Sequence, residues 1–472
     1  MKILKNLTLL MISFLVITGC DDYLDINDDP NNPTDAPLSG LMARTSFETG
    51  DNVQNVSTVT SFYVQYLASP NPASSTDVME PVPYDQTWFE LYDVMTDISD
   101  MEVLAEEENA SYYLGIAKIL KAINLGLTVD MWGNIPYSEA FFAQTITPAY
   151  DTDQALYGTI MSLLDEGIAL LNAPNSNESF TVGNDDFVYQ GNIDLWVKAA
   201  HALKARFMLH SSEASGYNPS AILSEVTAGF DDASESATVE YFDVQINPWS
   251  AVAINNDALL LGGWISEQLV ESMDGTTYGY VDPRMPFMFG TTDDGEFIGT
   301  ENGAGRGDAA EQGERSYLVE GGYYTSRTSS LEVITYSEMK FIEAEAALDA
   351  GDAPRAYEAY LEGIASHMQT IGVPQEEIDT YLAIPAVAVG SGAITRDLIL
   401  KEKYIALFLN PETYNDARRY DFQYQDMTVA ANLNPELSGN FATRIIYPES
   451  ETQRNSANVP AVTMLDKIWW DQ

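Results

Sequence analysis

Apolar residues recur at helical spacing over most of the chain. Between residues 83 and 108 they fall at Trp88, Leu91, Tyr92, Met95, Ile98, Met101 and Leu104, three and four apart, which predicts a helix with one buried face. The stripe resumes at Tyr112 and runs through Ile116, Ile119, Leu120, Ile123 and Leu127 to Trp132. Thr152 or Asp153 caps a third helix bearing Leu156, Ile160, Leu163, Leu164, Ile168 and Leu171. Asp194 opens a fourth, with Leu195, Val197, Ala200, Leu203, Phe207 and Met208. Late in the chain, 336–348 and 353–371 read as two helices separated by Gly351-Asp352, with alanines where the pair crosses. Helix, Gly-Asp turn, helix is the pattern of a tetratricopeptide-type hairpin, here without the full consensus. The expected fold class is therefore mainly α, a tetratricopeptide-like helical scaffold.

Between 216 and 335 the texture changes. Glycine, aspartate and aromatics are dense, helical periodicity survives mainly in 256–273, and a short strand is expected from Ala237 to Phe242. This loop-rich stretch is the expected ligand-binding region of a single domain spanning 37–472. The polar, glycine-rich run 295–313 contains Gly303-Ala304-Gly305-Arg306-Gly307-Asp308. It lacks Gly-Lys-Ser/Thr and a strand leading into a helix, so nucleotide binding is excluded. The Arg306-Gly307-Asp308 tripeptide in such a loop is attributed to chance.

The first twenty residues bear on compartment. Lys2 and Lys5 precede an apolar run from Leu7 to Ile17, which is too short to span a bilayer but has the length of a signal-peptide core. Ile17-Thr18-Gly19-Cys20 then reads as a lipoprotein cleavage site, with 1–19 as the signal peptide and Cys20 as the acylated, for example palmitoylated, residue. Cys20 is the only cysteine, so it can form no internal disulfide. Residues 20–36, rich in Asp, Asn and Pro, read as a leash between anchor and body. Beyond residue 20 no apolar stretch is long enough to cross a membrane, so the lipid is the only expected membrane contact.

Charge narrows the partners. Seventy-one acidic against 22 basic residues give a formal net charge of −49, which repels nucleic acid and anionic membrane surfaces. Disorder is not implied, because 45% of residues are hydrophobic and 11% aromatic. So large an acidic load suits a salty habitat, where repulsion is screened. It also favours a neutral ligand over an anionic polymer.

Reactive constellations are scarce. His201, His210 and His367 show neither metal-ligand spacing nor a paired carboxylate motif, and read as structural or surface residues. No metal, cofactor or catalytic residue is expected. Aromatic residues in turn-rich contexts stand out instead: Tyr84 and Trp88 after a Pro/Ser/Asp-rich stretch, Trp249 after Asn247-Pro248, Trp264 after Gly262-Gly263, and Tyr323-Tyr324 after Gly321-Gly322. Exposed rings stack on the C–H faces of sugars while neighbouring polar groups bond the hydroxyls. The candidate ligand-binding set is Trp249, Trp264, Trp88, Tyr84, Tyr66, Gln65, Asp77, Tyr323 and Tyr324. Trp132, Trp196, Trp469 and Trp470 are assigned to the core.

Several strings, in order and spacing, resemble the SusD/RagB family of nutrient-binding outer-membrane lipoproteins. They are Asp28-Asp29-Pro30-Asn31-Asn32-Pro33, then Met131-Trp132-Gly133-Asn134-Ile135-Pro136-Tyr137, Pro148-Ala149-Tyr150-Asp151, the helix 196–206, and Asp282-Pro283-Arg284. The helix 336–347, the segment 404–412 leading into Asp416-Ala417-Arg418-Arg419, and Ile446-Tyr447-Pro448 with Asn455 complete the series. The resemblance implies a lipid-anchored protein facing the cell exterior on the outer membrane. It implies capture of an oligo- or polysaccharide, with a neutral β-glucan such as laminarin as the guess, and delivery to a SusC-like TonB-dependent transporter. Peptide capture is the alternative, and an envelope hydrolase is a more distant one.

Overall fold

The computed structural model describes residues 36–142, 145–257, 262–307 and 312–471. The expected signal peptide, Cys20, almost all of the expected leash and Asp308 lie outside the described residues. The first helix, α1 (Leu38–Tyr63), carries a buried face on which polar and apolar residues are mixed, so hydrophobic periodicity does not reveal it. Several of its hydroxyls bond within the helix, Ser46 donating to the Met42 carbonyl at 2.6 Å and Thr49 to that of Thr45 at 2.7 Å. Asn52 donates across to Asn124, which in turn donates to Thr49, both at 2.8 Å. After β1 (Leu67–Ala68) come α2 (Asp85–Glu107) and α3 (Ser111–Trp132), then the paired β2 (Ile135–Pro136) and β3 (Tyr150–Asp151). They are followed by α4 (Asp153–Asn172), α5 (Ile193–His210) and α6 (Pro219–Ala228), and each of these helices packs on the next. Thr152 caps α4. Asn192 rather than Asp194 caps α5, its side chain accepting from the Leu195 N–H. On α4, Leu156, Ile160 and Leu164 are fully buried, each contributing roughly 1.5–3 kcal/mol.

Short elements follow: β4 (Ala237–Val239), α7 (Pro248–Asp257), β5 (Trp264–Ile265), α8 (Glu267–Glu271), α9 (Met285–Met288) and β6 (Leu331–Ile334). The expected strand at 237 is present but ends at Val239, where it pairs antiparallel with β6. The helix expected over 256–273 is a different object. Its residues divide among α7, β5 and α8, because Gly262-Gly263 precedes a strand whose Trp264 and Ile265 pair with Ala68 and Leu67.

The chain ends with α10 (Tyr336–Asp349), α11 (Ala353–Thr370), α12 (Gln375–Leu382), α13 (Arg396–Ala406), α14 (Glu412–Arg419) and α15 (Glu449–Arg454). The α10–α11 hairpin turns at Gly351 (φ +79°), and Asp352 caps α11 by accepting from the Arg355 N–H. Ala344, Ala347, Ala356 and Ala359 are buried in this hairpin, so the helices approach through small residues. α10 also rests on α6 and α13, which joins the C-terminal helices to the first array.

Ion pairs bind these layers. The Arg206 guanidinium on α5 grips Glu338 on α10 at 2.6 Å through two nitrogens, and also donates to the Val333 carbonyl. Lys403 meets Asp416 at 2.8 Å and Glu345 at 3.2 Å. Arg284 pairs with Asp282 and Glu402, all fully buried. His210 Nε2 lies 2.6 Å from Glu412. Burial pushes Glu412 up, but His210, Arg206 and Lys403 together hold it down near 2. His201 is likewise paired, 2.6 Å from Glu225. The carboxylate partners that sequence spacing did not show come from other helices. Among the described residues no group of three or more His, Cys, Asp or Glu is arranged to hold a metal ion, and no helix is long and apolar enough to cross a membrane.

Candidate ligand-binding face

Where α1 ends, Gln65 adopts a left-handed conformation (φ 59°) and turns the chain into β1. The pairing of β1 with β5 then projects the loop 69–84 beside two others, 300–307 and 425–434. Asp77 is the centre of this arrangement. One of its oxygens accepts from Asn302 Nδ2 at 2.6 Å, the other from the Gly303 N–H at 2.6 Å and the Ser69 N–H at 3.3 Å. Burial pushes its carboxyl up, and these three donors oppose the shift. Asn302 also donates to the Leu67 carbonyl and accepts from the Ser266 hydroxyl.

Backbone bonds complete the lattice. The Ala73 N–H donates to the Gly303 carbonyl and the Arg306 N–H to that of Pro70. The Ala431 N–H donates to the Asn302 carbonyl and the Asn434 N–H to that of Val78. Gln65 reaches the Thr428 carbonyl at 2.6 Å. A Cβ on Gly303 would stand 1.7 Å from the Ala431 carbonyl oxygen, and one on Gly305 2.7 Å from that of Pro70. Both glycines have positive φ, so these positions combine close approach with a conformation that favours glycine. The run that reads as a plain polar loop is the contact point of three loops.

The predicted site residues divide between this lattice and the core. Gln65, Tyr66 and Asp77 are buried beneath the loops as its supports. The Tyr66 hydroxyl bonds the Tyr404 carbonyl and lies 2.8 Å from the Thr413 hydroxyl. Tyr84, half-buried, lies 3.4 Å from the Thr76 hydroxyl across the same loop. The expectation of exposed stacking rings is corrected at the tryptophans. Trp249 is 2% exposed, Trp264 0% and Trp88 3%. Trp264 is drawn in by β5, and Trp88 packs edge-on against Trp132 with centroids 5.1 Å apart. Turn-rich surroundings suggested exposure, but here the turns fold inward over the rings. Tyr323 and Tyr324 lie elsewhere, the first half-buried and donating to Glu332 at 2.9 Å, the second buried with its hydroxyl 2.9 Å from His367 Nε2.

The outer side of the loop lattice presents Asn71, Ser75, Glu301, Gln425, Thr428 and Asn432. Sequence reasoning missed Asn302 and Asn432; the Asn-Gly pair at 302–303 was the available signal. Carboxylates gather beside the face. Burial and then Glu301 raise Glu267, while burial followed by Glu267, Asp274 and Asp426 raises Glu271. Beside the loops an open trough of about 400 Å³ is lined by Pro81, Pro83, Tyr447, Val459, Pro460 and Val462, among others. The arrangement can hydrogen-bond a hydroxyl-bearing chain and cover its apolar faces, while disfavouring anions.

Residues 30–448 match a SusD-like family model described as starch-binding and associating with the outer membrane. No curated protein matches. Solved structures of similar fold include a SusD/RagB family protein from Bacteroides thetaiotaomicron, 22% identical, with a TM-score of 0.75 over 93% of this chain and 99% of that one. A chitin-binding protein is 22% identical, with a TM-score of 0.76 over 92% of this chain and 100% of the other. A chitin-binding SusD homologue from Flavobacterium johnsoniae is 19% identical, with a TM-score of 0.75 over 91% and 98%.

Proposed function

The chain belongs to the SusD-like family, and from that premise we propose that it captures neutral glycans at the cell surface. In this reading Cys20 carries the lipid that holds it on the outer membrane, facing outward. The loop face receives a polysaccharide and a SusC-like TonB-dependent transporter takes it onward. The observation that carries the proposal is the loop lattice itself: three segments far apart in sequence are held as one polar surface beside an open trough. A preorganised surface of this kind binds an extended ligand without ordering its own loops. The carboxylates beside the face support an uncharged ligand, and the two chitin-binding structures of like fold support a glycan of β-linked sugars. Laminarin and chitin oligosaccharides are the first candidates.

Affinity electrophoresis tests this. Laminarin, chitin oligosaccharides and starch are each cast in gels, with alginate as the anionic counterpart. Retardation by a neutral glycan with no shortening of its chains, and none by alginate, is the expected result. Shortened chains would instead indicate a hydrolase. Failure with every glycan alongside retention by peptides would move the ligand class to peptides. The anchoring arm is separate: Cys20→Ala should release the protein from the membrane fraction with its fold intact.

A further inference from the structure

A second polar site lies away from the loop lattice, where the turn 233–236, β4, β6 and the end of α11 meet. A crevice of about 120 Å³ opens there, lined by Ser236, Thr238, Tyr323, Glu332, Ser337 and Thr370, among others. At about 30 Å³ per water this is room for roughly four waters or one small molecule. Glu332 is 9% exposed. One of its oxygens accepts from Tyr323 at 2.9 Å, and the other makes no hydrogen bond among the described residues.

This carboxylate differs from the other buried ones. Glu338 has Arg206, Glu402 has Arg284 and Lys401, and Glu345 and Asp416 share Lys403 and Arg419. Asp77 and Asp186 lack a cation but accept three and four N–H donors respectively. Glu332 has one neutral donor and, among the described residues, no cation within ion-pair distance. Buried carboxylates are ordinarily paired or fully hydrogen-bonded. The crevice supplies hydroxyls but no positive charge.

We propose that this crevice binds a small protonated primary amine, its ammonium paired with the unbonded oxygen of Glu332 and its remaining N–H groups facing the crevice hydroxyls. An ammonium carries three donors and no acceptor, which suits a carboxylate ringed by hydroxyl oxygens. The site is independent of the glycan reading and stands or falls without it. Tyr323 and Glu338 are the titratable groups that act on Glu332, and Tyr324 and His367 lie close by. Burial pushes Glu332 up to about 7, against the Tyr323 hydrogen bond and with a further push from Glu338. Amine binding near neutral pH therefore displaces a proton from it.

Calorimetry with ethanolamine and ethylene glycol, equal in size and differing by ammonium against hydroxyl, tests the proposal. At about pH 8, ethanolamine is expected to saturate the protein and ethylene glycol to give no binding. Glu332→Gln should weaken ethanolamine at least about tenfold and abolish the proton release measured between buffers near pH 7. Thr370→Trp, at the exposed rim, should block ethanolamine while leaving the carboxyl in place. Melting curves on both variants establish that they fold. Equal binding of the two probes overturns the proposal, as does undiminished ethanolamine binding by either folded variant. Absence of saturation at about 100 mM ethanolamine does the same.

Discussion

Beneath the helices, Arg206, Glu338, Lys403 and Asp416 meet as ions. Behind the loops of the candidate face, Asp77 meets only neutral N–H groups. Each hub joins segments distant in sequence, but the materials suit different tasks. A buried guanidinium–carboxylate pair is costly to break by removing one partner, and it fixes which helices meet. A carboxylate fed by backbone amides fixes the course of loops, and it leaves their outer side chains free for a ligand.

The largest test removes a charge from the helical hub. Arg206→Met strands Glu338 in the core and should cost about 3–5 kcal/mol, read as a lowered Tm, whereas the double change with Glu338→Met should recover much of it. A single variant as stable as the parent would mean that the ion pair contributes nothing to joining α5 and α10. Trp264→Ala should cost a similar amount, about 3–5 kcal/mol, because its ring is core. Asp77→Ala comes next, at about 1–3 kcal/mol for the donors left unmet, and its loss of glycan retention should exceed its loss of stability. Retained binding would detach the loop lattice from the ligand site.

Acid separates Glu412 from Asp77 by sign. Glu412, held near 2, contributes stability that is present above about pH 4.5 and is lost as pH falls towards 2. Asp77 is shifted upward, so its contribution is present below about pH 4 and declines as pH rises through its folded value. Hydrogen exchange at pH 3 against pH 6 should therefore show α14 loosening while loop 69–84 does not. The smallest effect is at the surface. Arg44 pairs with Asp97 at 2.6 Å but is half exposed, and Arg44→Ala should change stability by less than about 1 kcal/mol.

Much of the scaffold was legible because α2 to α5 and the α10–α11 hairpin bury apolar stripes. α1 was not, although it lies at the centre, because polar residues such as Thr45, Ser46, Thr49 and Asn52 share its buried face, the hydroxyls bonding carbonyls one turn back and Asn52 bonding Asn124 on α3. The SusD-like resemblance was legible for a related reason. Its strings hold Arg206, Asp282, Arg284, Glu338, Glu412 and Asp416, which are among the buried charged residues. At the candidate face, Gln65, Tyr66 and Asp77, expected as ligand contacts, are buried beneath the loops. Local composition cannot tell a tryptophan beside a glycine turn from one that a distant strand draws inward, as β1 does to Trp264.

The bond from Gln65 to the Thr428 carbonyl spans 363 residues, and Asp77 to Gly303 spans 226. A nascent chain therefore has the residues of its first helices well before it has those of the candidate face. The third loop of the candidate face lies at 425–434, so a chain clipped before 425 should fail to hold glycan.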